Sequence, residues 1–157
     1  MLAGEAKALH TAKRSSGVDV SDPALADAWD RVRRDSDPQT DWCAFTHAEA
    51  SAEDIGSNQV IALLGSGSGG LAELCSALDE TKVGFCGLRV TGGGGDAAGA
   101  AAPRFHRIVF VGEEVGGMKR GRAALQKNAV FAVLEGASAG DHAFGSLAEL
   151  SSSEMFS

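Results

Sequence analysis

Several groups in this chain have residue types and spacings that could do chemistry. Gly65, Gly67 and Gly70 of the run Gly65-Ser66-Gly67-Ser68-Gly69-Gly70 satisfy G-x-G-x-x-G, after an apolar run and before a helical pattern. In a dinucleotide fold such glycines let the backbone approach a pyrophosphate at a helix N-terminus. The next strand ends Leu88-Arg89-Val90-Thr91 without the acid that would hold a ribose, but Arg89 would suit a 2′-phosphate. A small NADP-binding enzyme using Gly65 to Gly70 is therefore one reading. The other is a plain Gly/Ser turn between a strand and a helix. The short chain and the lack of a nearby acid or base favour the turn. No Gly-Lys-Ser/Thr follows, so this is not a Walker A loop.

The remaining chemical candidates are weaker. Cys43, Cys75 and Cys86 form no Cys-x-x-Cys, and their apolar settings point to reduced, buried thiols. A catalytic pairing of a cysteine with His47 or His106 is the lesser alternative. His10, His47, His106 and His142 are scattered, and none lies at metal-ligand spacing. Glu113 and Glu114 would point to opposite faces of a strand and read as solvated charges at its end. The expectation is a non-enzymatic protein with no cofactor and no metal.

Charge is the stronger signal. The 157 residues carry a net −7, which argues against generic nucleic-acid binding. Yet residues 104–127 hold six basic residues (Arg104, Arg107, Lys119, Arg120, Arg122, Lys127) and two acids, net +4 against −11 for the rest. A basic patch on an acidic body suits a specific acidic partner. Lys119-Arg120-Gly121-Arg122 lies where a helix should begin, just after Gly116-Gly117. Positive side chains there oppose the helix dipole, so the cluster is better explained by a ligand than by stability.

These groups need elements to position them. Asp22 caps a helix with Pro23 in its first turn, and Leu25, Ala28, Trp29 and Val32 form its buried stripe. Arg31, Arg33 and Arg34 sit near its C-terminus, and Asp35 to Pro38 end it. Strands are expected at 42–46, 59–64, 82–91 and 105–111, the last central because it is almost continuously apolar. A short helix carries Leu71, Leu74, Cys75 and Leu78. A long one runs from 118 to 135 with Ala129, Val130, Val133 and Leu134 inward, and Phe131 off that face. A fifth strand at 142–144 precedes a last helical segment with Leu147, Leu150 and Met155 inward. The segment 92–102 is a Gly/Ala-rich loop. This order implies an α/β sandwich, a mixed sheet with helices on both faces. Residues 1–17 read as a poorly ordered N-terminal extension and 18–157 as one domain. No run is apolar enough to cross a bilayer and no secretory h-region opens the chain, so a cytoplasmic protein without membrane insertion is expected.

Three stretches resemble the coactosins of the ADF-homology (ADF/cofilin-like) actin-binding family. Phe105 to Arg122 is similar to the family's hydrophobic strand, its Gly-Glu-Asn-Val (here Gly112-Glu113-Glu114-Val115), a small pair ending in Gly, and a basic helix start. Leu88-Arg89-Val90-Thr91 resembles Val-Arg-Phe-Thr, and Val32-Arg33-Arg34-Asp35 resembles Val-Arg-Asp-Asp. The resemblance implies a five-stranded mixed β-sheet between helix pairs. It also implies binding to the side of actin filaments, by a monomer that regulates filament dynamics in the cytoskeleton without catalysis. The family's filament-binding lysine falls on Arg104, and the basic helix start on Lys119, Arg120 and Arg122, with Arg107 and Lys127 in the same patch. Monomeric actin and severing, as in ADF/cofilin, form the alternative. On this reading Arg104 and Lys119 to Arg122 are two halves of one surface.

Overall fold

The computed structural model describes residues 17–48, 59–91 and 102–156. The expected N-terminal extension (1–16 of it) and the loop at 92–101 lie outside the described residues.

Six strands form one mixed sheet in the order β1-β3-β2-β4-β5-β6. They are β1 (Val18–Asp19), β2 (Trp42–His47), β3 (Gln59–Gly67), β4 (Val83–Val90), β5 (Arg104–Val111) and β6 (Asp141–Phe144). β2, β3, β4 and β5 pair antiparallel, while β1 joins β3 and β6 joins β5 in parallel. The sequence implied five strands; the sixth is the two-residue β1, too short to give a period. β5 is not central but next to the edge strand β6. Its apolar run reflects burial on both faces.

Strand alternation divides the core in two. Cys43, Phe45, Val83, Phe85 and Val109 face helices α1 (Pro23–Arg33) and α3 (Gly117–Phe131). Trp42, Ala44, Cys86, Leu88, Ile108 and Phe110 face α2 (Gly70–Ala77) and α4 (Leu147–Ser151). In α1, the Asp22 carboxylate accepts from the Ala24 amide at 2.9 Å, and Leu25, Ala28, Trp29 and Val32 are the buried stripe. α3 ends at Phe131, where the turn tightens: the Val133 amide donates to Val130 and the Leu134 amide to Phe131. Phe131 and Leu134, three residues apart, both point inward across this turn. Phe131 meets Phe85 edge-on at 6.5 Å. At the C-terminus Phe156, not Met155, is buried.

Two arrangements hold α1 against the sheet. The Arg89 guanidinium donates to the carbonyls of Val32 (3.0 Å) and Arg33 (3.1 Å) and pairs with Asp35 at 2.5 Å. It thereby satisfies carbonyls that the helix end leaves without an intrahelical partner. Trp29 donates its indole N–H to the Glu135 carbonyl at 2.8 Å, and its ring lies over Gly87. A Cβ at position 87 would overlap that ring. We expect Gly87→Ala to destabilise the fold by about 1–3 kcal/mol, the usual range for overpacking. Urea denaturation checks this, and an unchanged midpoint would show that the indole can move aside freely.

Candidate functional site

The glycine run is built for packing rather than for phosphate. Gly65, Ser66 and Gly67 belong to β3 and pair with Ala44, Cys43 and Trp42, so the turn is shorter than expected. A side chain at Gly65 would press on the Trp42 ring. The amides at the start of α2 already have carboxylate partners: Gly69 donates to Glu73 at 3.1 Å and Gly70 to Asp41 at 3.0 Å. Glu73 also accepts from the Trp42 indole at 2.8 Å, which holds its carboxyl below the usual range. A pyrophosphate would meet two carboxylates there. Arg89, the residue suited to a 2′-phosphate, is buried in the α1 end. The dinucleotide reading is overturned on both counts.

The cysteine alternative has no geometry behind it either. Burial pushes the Cys43 thiol up to about 12 and raises Cys86 and Cys75 as well. His47 bonds Gln126 and His106 bonds His142. Glu113 and Glu114 are exposed, in the turn after β5 rather than on a strand. Among the described residues no group of three or more His, Cys, Asp or Glu could hold a metal. No helix among them is long and apolar enough to cross a membrane.

The basic residues fall in two places. The first is α3. Gly116 caps it with no side-chain bond, and no acid occupies its first turn. The turn leading into it is tied to the sheet. Glu80 accepts from the Glu113 amide through its carboxylate (3.1 Å) and from the Glu114 amide through its carbonyl (2.9 Å). Arg120 folds back onto the Gly112 carbonyl at 3.1 Å, so part of its charge serves the turn itself. Lys119 and Arg122 lie one helical turn apart. Met118 and Leu125 are 68% and 80% exposed, two turns apart on the same helix, an apolar ridge beside those cations. Sequence reading missed this ridge. Its signal was two large apolar residues seven apart and off the inward stripe. Lys127 follows, half-buried.

The second place is the start of β5, where Arg104 is exposed and pairs with Val90. β5 runs from there to Val111, so the helix start and Arg104 are separated by roughly the strand's length, about 23 Å at ~3.3 Å per residue. Arg104 also shares the alternation of His106, Ile108 and Phe110, the face of α2 and α4, whereas α3 covers the other face. The two halves are thus at opposite ends and on opposite sides of the sheet, not adjoining. Arg107 is committed to the fold. It grips Asp141 through two bonds (2.6 and 3.0 Å), donates to the Phe131 carbonyl at 3.1 Å, and lies 5.2 Å over the Phe131 ring.

Each place has a histidine held below its usual range. Burial dominates for His47, which the Gln126 bond opposes and Arg122 and Lys119 reinforce. His106 is lowered to about 4 by burial, then by His142 and Arg104. Its Nδ1 lies 3.0 Å from His142 Nε2, and its own Nε2 is buried without a partner among the described residues. The unfolded chain, with histidines near ~6.5, therefore binds more protons than the folded one as pH falls below that value. Stability is full above ~6.5 and is lost on going down toward 4. The urea midpoint is expected to fall between pH 7 and pH 5, and His106→Gln should flatten that slope. A pH-independent midpoint would contradict the burial of these rings.

Comparison with known proteins follows the same lines. The family model for cofilin/tropomyosin-type actin-binding proteins matches residues 17–157. Coactosin of Dictyostelium discoideum is 32% identical over 119 residues, 75% of this chain and 73% of that protein. A drebrin-like protein of Mus musculus is 33% identical over 115 residues, 73% of this chain but 23% of its own length. Among solved structures, coactosin from Entamoeba histolytica superposes with a TM-score of 0.70 at 23% identity, covering 86% of this chain and 88% of its own. Mouse coactosin, described as an actin filament binding protein, gives 0.62 at 22% identity over 85% of this chain and 84% of its own. The likeness extends from local motifs to the whole sandwich: this chain belongs to the cofilin/tropomyosin-type actin-binding protein family.

Proposed function

We propose that this protein binds the side of actin filaments and regulates their dynamics without catalysis, as a monomer working at the cytoplasmic cytoskeleton. One observation carries the reading: α3 presents the exposed Met118–Leu125 ridge beside Lys119 and Arg122. A helix face of this kind fits an apolar cleft rimmed by carboxylates, with the ridge supplying burial and the cations supplying orientation and encounter rate. Actin's acidic surface suits the cations.

Arg104 supports the filament form over the monomer. Two basic contacts roughly 23 Å apart, given ~3.3 Å per strand residue, would reach two neighbouring subunits more readily than one cleft. Lys119, Arg122, Lys127 and Arg104 would form the surface. Arg120 and Arg107 contribute mainly by holding the α3 turn and β6 in place. This chain shares the fold of mouse coactosin, an actin filament binding protein, which points the same way.

Co-sedimentation with filaments, beside a monomer-binding control, tests this. Lys119→Ala/Arg122→Ala is expected to weaken pelleting about tenfold, and Leu125→Ala several-fold, in the range of interface anchors. Wild-type binding should fall as salt rises. Binding to monomers alone, with filaments shortened under microscopy, would replace this reading with monomer binding and severing.

A further inference from the structure

Arg33 lies at the C-terminal end of α1, at the same end of the sheet as Arg104. Register places it there: Arg89, which grips the α1 end, pairs with Phe105, and Val90 pairs with Arg104. Cations at a helix C-terminus commonly serve the dipole. That duty is already met, because Arg89 occupies the carbonyls of Val32 and Arg33. The Arg33 side chain instead lies over the Phe105 ring, 5.9 Å from its centre. It also rests against Gly136, where a Cβ would come within 2.7 Å of its guanidinium carbon.

The group is exposed yet held. Its backbone carbonyl is fixed by Arg89, its plane by an aromatic ring and a glycine. The neighbouring cations have acids: Arg89 pairs with Asp35, and Arg34 with Asp30 at 3.6 Å. Among the described residues no carboxylate pairs with Arg33. A guanidinium offers five donors in a planar fork that matches a carboxylate, and a fork held in place loses little freedom on binding. Phe105, its platform, follows Arg104 in β5 and points to the α1 face, so Arg33 and Arg104 flank the same end of the sheet from its two sides.

We infer that Arg33 is a further contact residue of the filament surface, pairing with a carboxylate on the actin subunit that Arg104 also meets. The inference rests on the filament reading above. It adds α1, an element outside the segment from Arg104 to Lys127, to the binding face.

The test is filament co-sedimentation at several salt concentrations for wild type, Arg33→Ala, Arg33→Lys and Lys119→Ala/Arg122→Ala, with melting temperatures for each. Arg33→Ala should raise Kd about five- to tenfold and make binding less salt-dependent, while melting within a few degrees of wild type. Arg33→Lys keeps charge but loses the fork, and should fall between the two. A side chain that only packs on Phe105 would alter melting and leave the salt dependence as in wild type. If wild type pellets, Lys119→Ala/Arg122→Ala is weakened and Arg33→Ala binds like wild type, the inference is overturned and the filament reading stands. If wild type itself does not pellet, the filament reading fails and takes the inference with it.

Discussion

The buried amide of Gln126 sets the orientation on which the proposed surface depends. Its nitrogen donates to the Gln59 side chain at 2.8 Å and to the Gly17 carbonyl at 3.3 Å, and its oxygen accepts from His47 Nε2 at 2.8 Å. One side chain of α3 thus meets β2, β3 and the approach to β1. A buried amide is tolerated only when its donors and acceptor are met, so turning α3 by even one residue would take the Gln126 amide away from the partners it has in the core. With Gln126 fixed inward, the 100° step of the helix sends Leu125 outward and keeps Ala123 and Val130 in the core. The outward apolar ridge is therefore a consequence of an inward polar one.

The sheet supplies the other dimension. β5 connects Arg104 to the turn that starts α3, and that turn is tied to Glu80 by the Glu113 and Glu114 amides. Glu80 also accepts from the Leu147 amide at 3.0 Å, which links the start of α4 to the same point. A Cβ at Gly112 would run into the Glu80 backbone, so only glycine allows this close approach. The spacing between the two basic places follows from a hydrogen-bonded strand and a fixed turn. A rigid spacing of this kind suits a regular polymer, whose subunits repeat at fixed distances.

Much of this was legible in the sequence, and the misses share a cause. α1 was readable throughout because cap, proline and apolar stripe all depend on local chemistry. The α/β sandwich followed from element order. Gly65 to Gly70 misled because a glycine needed for packing against Trp42 looks the same as one needed for a turn. Gln126 gave no sign of burial, since its partners lie far away in the chain. Arg89 looked like a ligand residue for the same reason: the α1 carbonyls that claim it are more than fifty residues distant. Sequence proximity hid the full length of β5 between Arg104 and Lys119, the two halves of the proposed surface.

The start of α3 shows how stability and binding are divided. α1 is capped by Asp22 and α4 by Ser146, and the first amides of α2 meet Glu73 and Asp41. α3 begins at Gly116 with no capping side chain, and Lys119, Arg120 and Arg122 follow within two turns. Both features are unfavourable at a helix N-terminus, each by up to about 1 kcal/mol. Arg120 offsets part of this by bonding the preceding carbonyls, and Gln126 anchors the helix farther along. What remains is a helix end rich in positive charge beside an apolar ridge. A carboxylate brought there by a partner would be favoured by the helix dipole and by the cations together, so a terminus with no capping side chain of its own can gain from association.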